Sequence, residues 1–309
     1  MQNILFIGGA GFIGSNIIRA MLTEKANLFV LEPSFADIHR LDGLKVTIFR
    51  GDLINTDYVS SIVETNKIDT VVHLVSTIIP GSSFEDYKRE YQTVIFPSIE
   101  LMQLCAQKGI RFVYFSSGGT VYGNRLTKEP FLETDPMNPI SYYGWSKQMM
   151  ENSIHYVHRT MGLRYLILRP SNPYGHGQKT HAQQGFIAVA IGKILASEPI
   201  VVWGDGSSVR DYIYIDDLAY YVKELLVSES KDITLNIGSN QGYSNNDIIN
   251  ILKDVVSEEV KVEYENSRKV DVANVILDTT QLRSKVNIQL TSINDGIREF
   301  YNDVKDSLN

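Results

Sequence analysis

Tyr143 and Lys147 stand four residues apart in the run Tyr143-Gly144-Trp145-Ser146-Lys147. On a helix that spacing sends both side chains out of one face. An ammonium beside a phenol stabilises the tyrosinate and lowers the pKa of the hydroxyl, and a cationic nicotinamide adds to the effect. A tyrosine tuned in this way serves as general base or acid near neutral pH. The spacing alone is common on ordinary helix surfaces, so its meaning depends on what accompanies it.

A second cluster lies near the N-terminus. Gly8-Gly9-Ala10-Gly11-Phe12-Ile13-Gly14 follows an apolar run at 3–8 and opens a helical pattern at 12–22. Glycines there permit a tight turn and let the backbone approach a pyrophosphate, while the helix start offers unpaired N–H groups and a favourable dipole. Glu32 ends the next apolar run, where an acid accepts hydrogen bonds from the adenosine ribose hydroxyls. A carboxylate repels a ribose phosphate, and no arginine follows immediately, so the cofactor expected is NAD and not NADP. Asp52 and Leu53, after the third run, are further candidates for the adenine end.

Strands must hold these groups. Short apolar runs at 3–8, 28–31, 46–49, 70–75, 112–116 and 165–168 alternate with helical patterns, the longest at 86–107 and 143–159. Strands apolar throughout, with helices between them, imply a parallel sheet covered on both faces. The expectation is a doubly wound α/β fold with its ligand site outside the carboxyl ends of the strands. The second half is less regular: a polar loop at 175–185, a helix at 186–195, short strands at 200–203 and 235–238, and amphipathic helices at 245–256 and 294–306. This suggests a dinucleotide-binding domain over 1–170, with a returning segment near 209–238, and a smaller substrate lobe from 171–208 and 239–309.

Composition narrows the classes. The chain has 309 residues, 43% hydrophobic and 21% charged, with 36 acidic against 29 basic residues and a net charge of −7. No dense basic run suggests nucleic acid, and no apolar stretch is long enough to span a bilayer. The first residues show no basic leader, so a cytoplasmic protein is expected. The lone cysteine, Cys105, reads as a small core residue, and the six histidines form no metal-ligand set, so no metal is expected.

Taken together, these motifs and the segments FSSGGTVYG (115–123), YYGWSK (142–147), LRPSNPYG (168–175) and WGDGSSVRDYIYIDDLA (203–219) make the sequence resemble the extended short-chain dehydrogenase/reductase family, within it the nucleotide-sugar epimerases of the UDP-glucose 4-epimerase type. The resemblance spans essentially the whole chain. It implies that Tyr143 is the catalytic base and Lys147 its partner on the nicotinamide ribose. It implies cofactor contacts at Gly8, Gly11, Phe12, Ile13, Gly14, Glu32, Asp52, Leu53, Leu74 and Pro170. It assigns substrate contacts to Asn172, Trp203, Arg210, Tyr212, Arg268 and Asp271. A structural ion pair with Asp211 is the rival reading for Arg210. The implied activity is NAD-dependent 4-epimerisation of a UDP-hexose through a transient 4-keto sugar, with reduction of a 4-keto nucleotide sugar as the alternative. A homodimer is also implied, with 86–107 and 143–159 pairing into a four-helix bundle through residues such as Tyr91, Ile95, Met102, Met150 and Val157.

Several positions depart from the family pattern. Gly118 stands where a serine or threonine is usual, so the missing hydroxyl must come from Ser117, the preferred candidate, or Thr120. Ile78 and Val94 or Thr93 replace a lysine and an asparagine near the cofactor. Gly119 and Thr120 occupy the places of the Asp-Glu pair of the family's dehydratases, so acid and base for water loss are absent. Val275 falls where some galactose epimerases have a bulky tyrosine; a smaller residue could admit an N-acetyl group, or it could be strand core.

Overall fold

The computed structural model describes residues 2–182, 184–228, 230–266 and 272–308. Its first half winds as β1 (Gln2–Ile7), α1 (Phe12–Met21), β2 (Ala26–Glu32), β3 (Thr47–Arg50), α2 (Thr56–Thr65), β4 (Thr70–His73), α3 (Phe84–Glu90), α4 (Phe96–Lys108), β5 (Arg111–Phe115), α5 (Gly118–Val121), α6 (Tyr142–Met161) and β6 (Arg164–Pro170). Then follow β7 (Asn172–Tyr174), α7 (Phe186–Leu195), β8 (Ile200–Trp203), β9 (Val209–Tyr214), α8 (Ile215–Val227), β10 (Ile233–Ile237), β11 (Gly242–Ser244), α9 (Asn245–Val255), β12 (Val262–Glu265), β13 (Asn274–Val275), α10 (Thr280–Lys285) and α11 (Ile293–Leu308).

Seven strands form one parallel sheet in the order β10-β6-β5-β4-β1-β2-β3. Its central strands are apolar on both sides because both faces are covered. Ile17, Ile18 and Met21 of α1 pack with Leu218, Val222 and Leu225 of α8 on one face. Val59, Leu101, Met150 and Ile154 of α2, α4 and α6 pack on the other. The chain leaves β1 toward β2 and β3, then crosses back to β4, so the crevice at the carboxyl ends of β1 and β4 is the topological switch point.

The return to the main sheet runs through α8 and β10, while β9 lies elsewhere. It pairs with β7, β11 and β13, and β8 pairs with β12. A third core beneath these strands joins α7, α9 and α11 through Ile191, Ile249 and Phe300.

The long helix expected at 86–107 is interrupted. Between α3 and α4 the backbone takes a π-helical turn over Tyr91–Ile95. Insertions of this kind re-aim the side chains that follow them. A second correction concerns the apolar residues assigned to a dimer face. Ile95, Met102, Met150 and Val157 are all within the core against the sheet, because α4 and α6 need those side chains to cover it. The aromatic groups these helices leave outside are Tyr91, Phe96, Trp145 and Tyr156. Cys105 is fully buried, and desolvation pushes its thiol pKa up, which suits a packing role. Among the described residues no helix is long and apolar enough to cross a membrane.

Candidate functional site

The glycine turn leaves β1 with Gly8 at φ +79°, a conformation that favours glycine, and a Cβ there would lie 2.8 Å from Val75 Cγ2. Gly11 caps α1 without a side-chain hydrogen bond, and the first turn carries no acid. Phe12 and Ile13 begin that helix half-buried, and Gly14 packs directly on the backbone of Gly9. The helix start is therefore an open anion site of the kind a pyrophosphate fits.

Glu32 ends β2 beside this turn. It is buried and accepts the Ala10 N–H at 2.6 Å. Burial raises its pKa, opposed by that hydrogen bond and by the charge of Arg50. The neighbouring strand places Arg50 opposite Glu32, and its guanidinium is occupied by the Ser34 and Ala36 carbonyls. Local sequence gave no sign of this arginine because it arrives from the next strand. Leu53 is core, whereas Asp52 is exposed and accepts the Ile54 N–H. Leu74 donates its N–H to the Ile7 carbonyl just past β4, and Pro170 ends β6 opposite Ile237.

Tyr143 and Lys147 share one face of α6, at the carboxyl end of β5. Lys147 is buried and donates to the Phe115 carbonyl at 3.0 Å, with its Nζ 5.4 Å from the centre of the Tyr143 ring. Burial lowers its pKa to about 8, while Glu90 and Glu151 act in the opposite direction. The expected lowering of the Tyr143 pKa does not occur in the protein alone. Burial pushes it up to about 12, helped by the charge of Glu90 and opposed by a hydrogen bond with Ser117. Desolvation is the largest influence on the phenol, and the Lys147 ammonium is directed at the Phe115 carbonyl.

Of the two candidate hydroxyls, Ser117 is the one whose hydrogen bonding bears on the phenol, where it lowers the pKa of Tyr143. The Thr120 hydroxyl is buried with no hydrogen-bond partner among the described residues. Gly118 is required by packing, since a Cβ there would lie 2.5 Å from Leu277 Cδ1 and 2.9 Å from the Arg169 carbonyl. A Cβ at 119 would make only ordinary van der Waals contact, 3.9 Å from both Ser117 Oγ and Asn172 Oδ1. Behind this corner a buried Arg169–Glu151 ion pair, 2.6 Å long, also engages Ser116 and Tyr122 and holds the strand end rigid.

Asn172 donates to the Asp211 carbonyl at 2.8 Å and lines a cavity of about 190 Å³ together with Phe186, Val201, Trp203, Arg210 and Tyr212. Arg210 does not pair with Asp211, which removes that rival reading. The buried Asp211 carboxylate instead accepts from Ser239, Asn240 and Leu277, and its pKa rises to about 6 through burial. The Arg210 guanidinium is steadied by the Val209 and Ala273 carbonyls. Val275 is core, packed with Val121, Tyr122, Phe131 and Leu277. Arg268 and Asp271 lie outside the described residues.

One charged group of this site was missed from sequence. Glu90 is buried at the end of α3 and lies close enough to influence both Tyr143 and Lys147. Its only sequence signal is an acid immediately before a largely apolar helical stretch.

Known proteins match this architecture along its whole length. A putative UDP-glucose 4-epimerase of Methanocaldococcus jannaschii is 29% identical over 98% of this chain and 99% of its own. A dTDP-4-dehydro-6-deoxyglucose reductase of Escherichia coli is 28% identical over 98% of each. The crystal structure of UDP-glucose 4-epimerase with UDP-glucose from Thermotoga maritima superposes with a TM-score of 0.92 at 28% identity, covering 100% of both chains. Residues 4–238 match the NAD dependent epimerase/dehydratase family, and the chain belongs to that family.

Proposed function

We propose that this protein is an NAD-dependent 4-epimerase of a UDP-hexose, acting through a transient 4-keto sugar. The observation that carries the reading is the Ser117–Tyr143 hydrogen bond beside Lys147, facing Asn172 and leading toward the Arg210 cavity. The similarity of the whole chain to UDP-glucose 4-epimerases supports it.

The chemistry that bound NAD would supply here is reversible hydride acceptance at the sugar C4. Tyr143 takes the proton of the 4-hydroxyl as the hydride leaves and returns it as the ketone is reduced. Ser117 steadies the phenolate, and Lys147 supplies positive charge and donors toward the ribose. Arg210, with Asn172 and Tyr212, holds the diphosphate side, with Trp203 at the nucleotide base. Arg268 and Asp271 belong to the same substrate set by resemblance. Gly11, Phe12, Ile13 and Gly14 take the cofactor pyrophosphate, and Glu32 the adenosine ribose. Inversion requires the keto sugar to present its other face while the diphosphate stays held. The absence of a side chain at Gly119, where a Cβ would come no nearer than 3.9 Å to Ser117 Oγ and Asn172 Oδ1, leaves room beside Ser117 for that turn. The glycine and threonine at 119 and 120 carry no acid or base for dehydration.

The reading includes a cytoplasmic homodimer. Exposed Tyr91, Phe96, Trp145 and Tyr156 near or on α4 and α6 support pairing of these helices with a second copy. Light scattering at micromolar concentration is expected to give twice the chain mass, and Phe96→Glu with Trp145→Glu to give the monomer.

Reduction of a 4-keto nucleotide sugar is the second reading, favoured by the similarity to the Escherichia coli reductase. Incubation with UDP-glucose or UDP-N-acetylglucosamine separates the two. Epimerisation without net change at 340 nm supports the epimerase; stoichiometric loss of NADPH with a 4-keto sugar, and no epimerisation, supports the reductase.

A further inference from the structure

Glu90 is 1% exposed, and the mechanism above does not use it. Its oxygens accept from the Ser76 hydroxyl at 2.9 Å, from the Thr77 N–H at 2.8 Å and from the Thr77 hydroxyl. Among the described residues no lysine or arginine forms an ion pair with it; Lys147 donates to the Phe115 carbonyl instead. A buried carboxylate without a counter-charge is costly, and three hydrogen bonds offset only part of that cost.

The location of this charge gives it meaning. Ser76 and Thr77 follow β4 in the segment where Val75 lies against Gly8. Glu90 therefore ties down one wall of the groove beside the glycine turn. From the other side it acts on Tyr143 and Lys147 of α6 and Tyr114 of β5; Glu151 is the second anion bearing on Lys147. The groove thus contains a fixed negative charge where its dinucleotide wall meets its acid-base pair. A nicotinamide ring is cationic when oxidised and neutral when reduced. In a water-poor site a fixed anion favours the cationic form.

We propose that Glu90 is a positioning residue that anchors Ser76 and Thr77 against the glycine turn and biases the site toward the oxidised cofactor. This rests on the NAD-dependent reading above. It suits an enzyme that must start every turnover with oxidised cofactor and recover it at the end.

The test equilibrates the full-length protein with equal concentrations of NAD+ and NADH, removes free nucleotide rapidly and measures the ratio retained. Wild type is expected to retain mainly NAD+. Glu90→Gln, and Glu90→Thr as a smaller neutral replacement, are expected to move the ratio roughly tenfold toward NADH, about 1.4 kcal/mol. Glu90→Asp keeps the charge and should stay near wild type. Thr77→Val removes one anchoring hydrogen bond but no charge, so it should weaken both forms alike and leave the ratio unchanged. In the neutral variants the alkaline limb of kcat/KM should also move to lower pH, because Lys147 loses an anion that keeps it protonated. Neutral variants that retain the wild-type ratio, or lose both forms equally as Thr77→Val does, would overturn the proposal and leave Glu90 a structural anchor. A wild-type protein that binds neither nucleotide would overturn the NAD-dependent reading itself.

Discussion

Ser117 offers the Tyr143 phenol a hydrogen bond that lowers its pKa, while the hydroxyl of Thr120, three residues on, is buried with no hydrogen-bond partner among the described residues. The bond stabilises the Tyr143 phenolate and so opposes the effect of its burial. Ser117→Ala should therefore lower kcat roughly 10–100-fold, as loss of a hydrogen bond to a charged group does, and raise the pH at which Tyr143 deprotonates. Thr120→Val should cost less. Steady-state kinetics on both variants checks this; full turnover in Ser117→Ala with loss in Thr120→Val would reverse the assignment.

Gly118 and Leu277 form a lock-and-key pair in which the leucine occupies the space a side chain would need. Gly118→Ser, which restores the hydroxyl usual in the family, should destabilise the protein by about 1–3 kcal/mol through overpacking. Gly118→Ser with Leu277→Ala should recover part of the loss. Urea unfolding of the single and double variants measures both.

The pH dependence follows from Lys147. Burial lowers its pKa to about 8, so it is charged below pH 8 and neutral above. Its positive charge favours the Tyr143 phenolate and is lost as pH rises, so kcat/KM should fall on the alkaline side with a limb near pH 8. Lys147→Met should be slow at every pH and lack that limb. A wild-type profile flat from pH 7 to 10 would contradict the role given to Lys147.

Arg210 lines the cavity assigned above to the substrate's diphosphate, and its guanidinium is hydrogen-bonded to the Val209 and Ala273 carbonyls. Arg210→Gln should raise KM for the nucleotide sugar roughly 10–100-fold with a smaller change in kcat, the signature of lost diphosphate binding. Equal losses in kcat and kcat/KM would place it in the chemical step instead.

The main sheet was legible in sequence because its strands are buried on both faces and therefore read as apolar runs, as at 4–7 and 166–168. The placing of Tyr143 and Lys147 on one helix face was legible because four-residue spacing survives on α6. What was hidden depends on distant partners. The π-turn at Tyr91–Ile95 disturbs the helical pattern too little to be seen. β7, β11 and β13 are only two or three residues long and exist through pairing with β9. The same apolar spacing on α4 and α6 serves a sheet or a second copy, and only packing shows that Met102 and Val157 face the sheet. The direction of the Tyr143 shift was misjudged because desolvation cannot be read from spacing.

The acidic balance of the chain, −7, makes the local arrangement of positive charge the decisive matter for a diphosphate substrate. The central claim is that Tyr143 drives a reaction without net redox. The most direct test incubates the purified protein with UDP-glucose and with UDP-N-acetylglucosamine, follows the C4 epimers by chromatography and records absorbance at 340 nm. The account predicts conversion of at least one sugar to its C4 epimer with no lasting change at 340 nm, and its loss by roughly 100-fold or more in Tyr143→Phe. Unchanged epimerisation in Tyr143→Phe, or consumption of reduced cofactor in step with product, would contradict it.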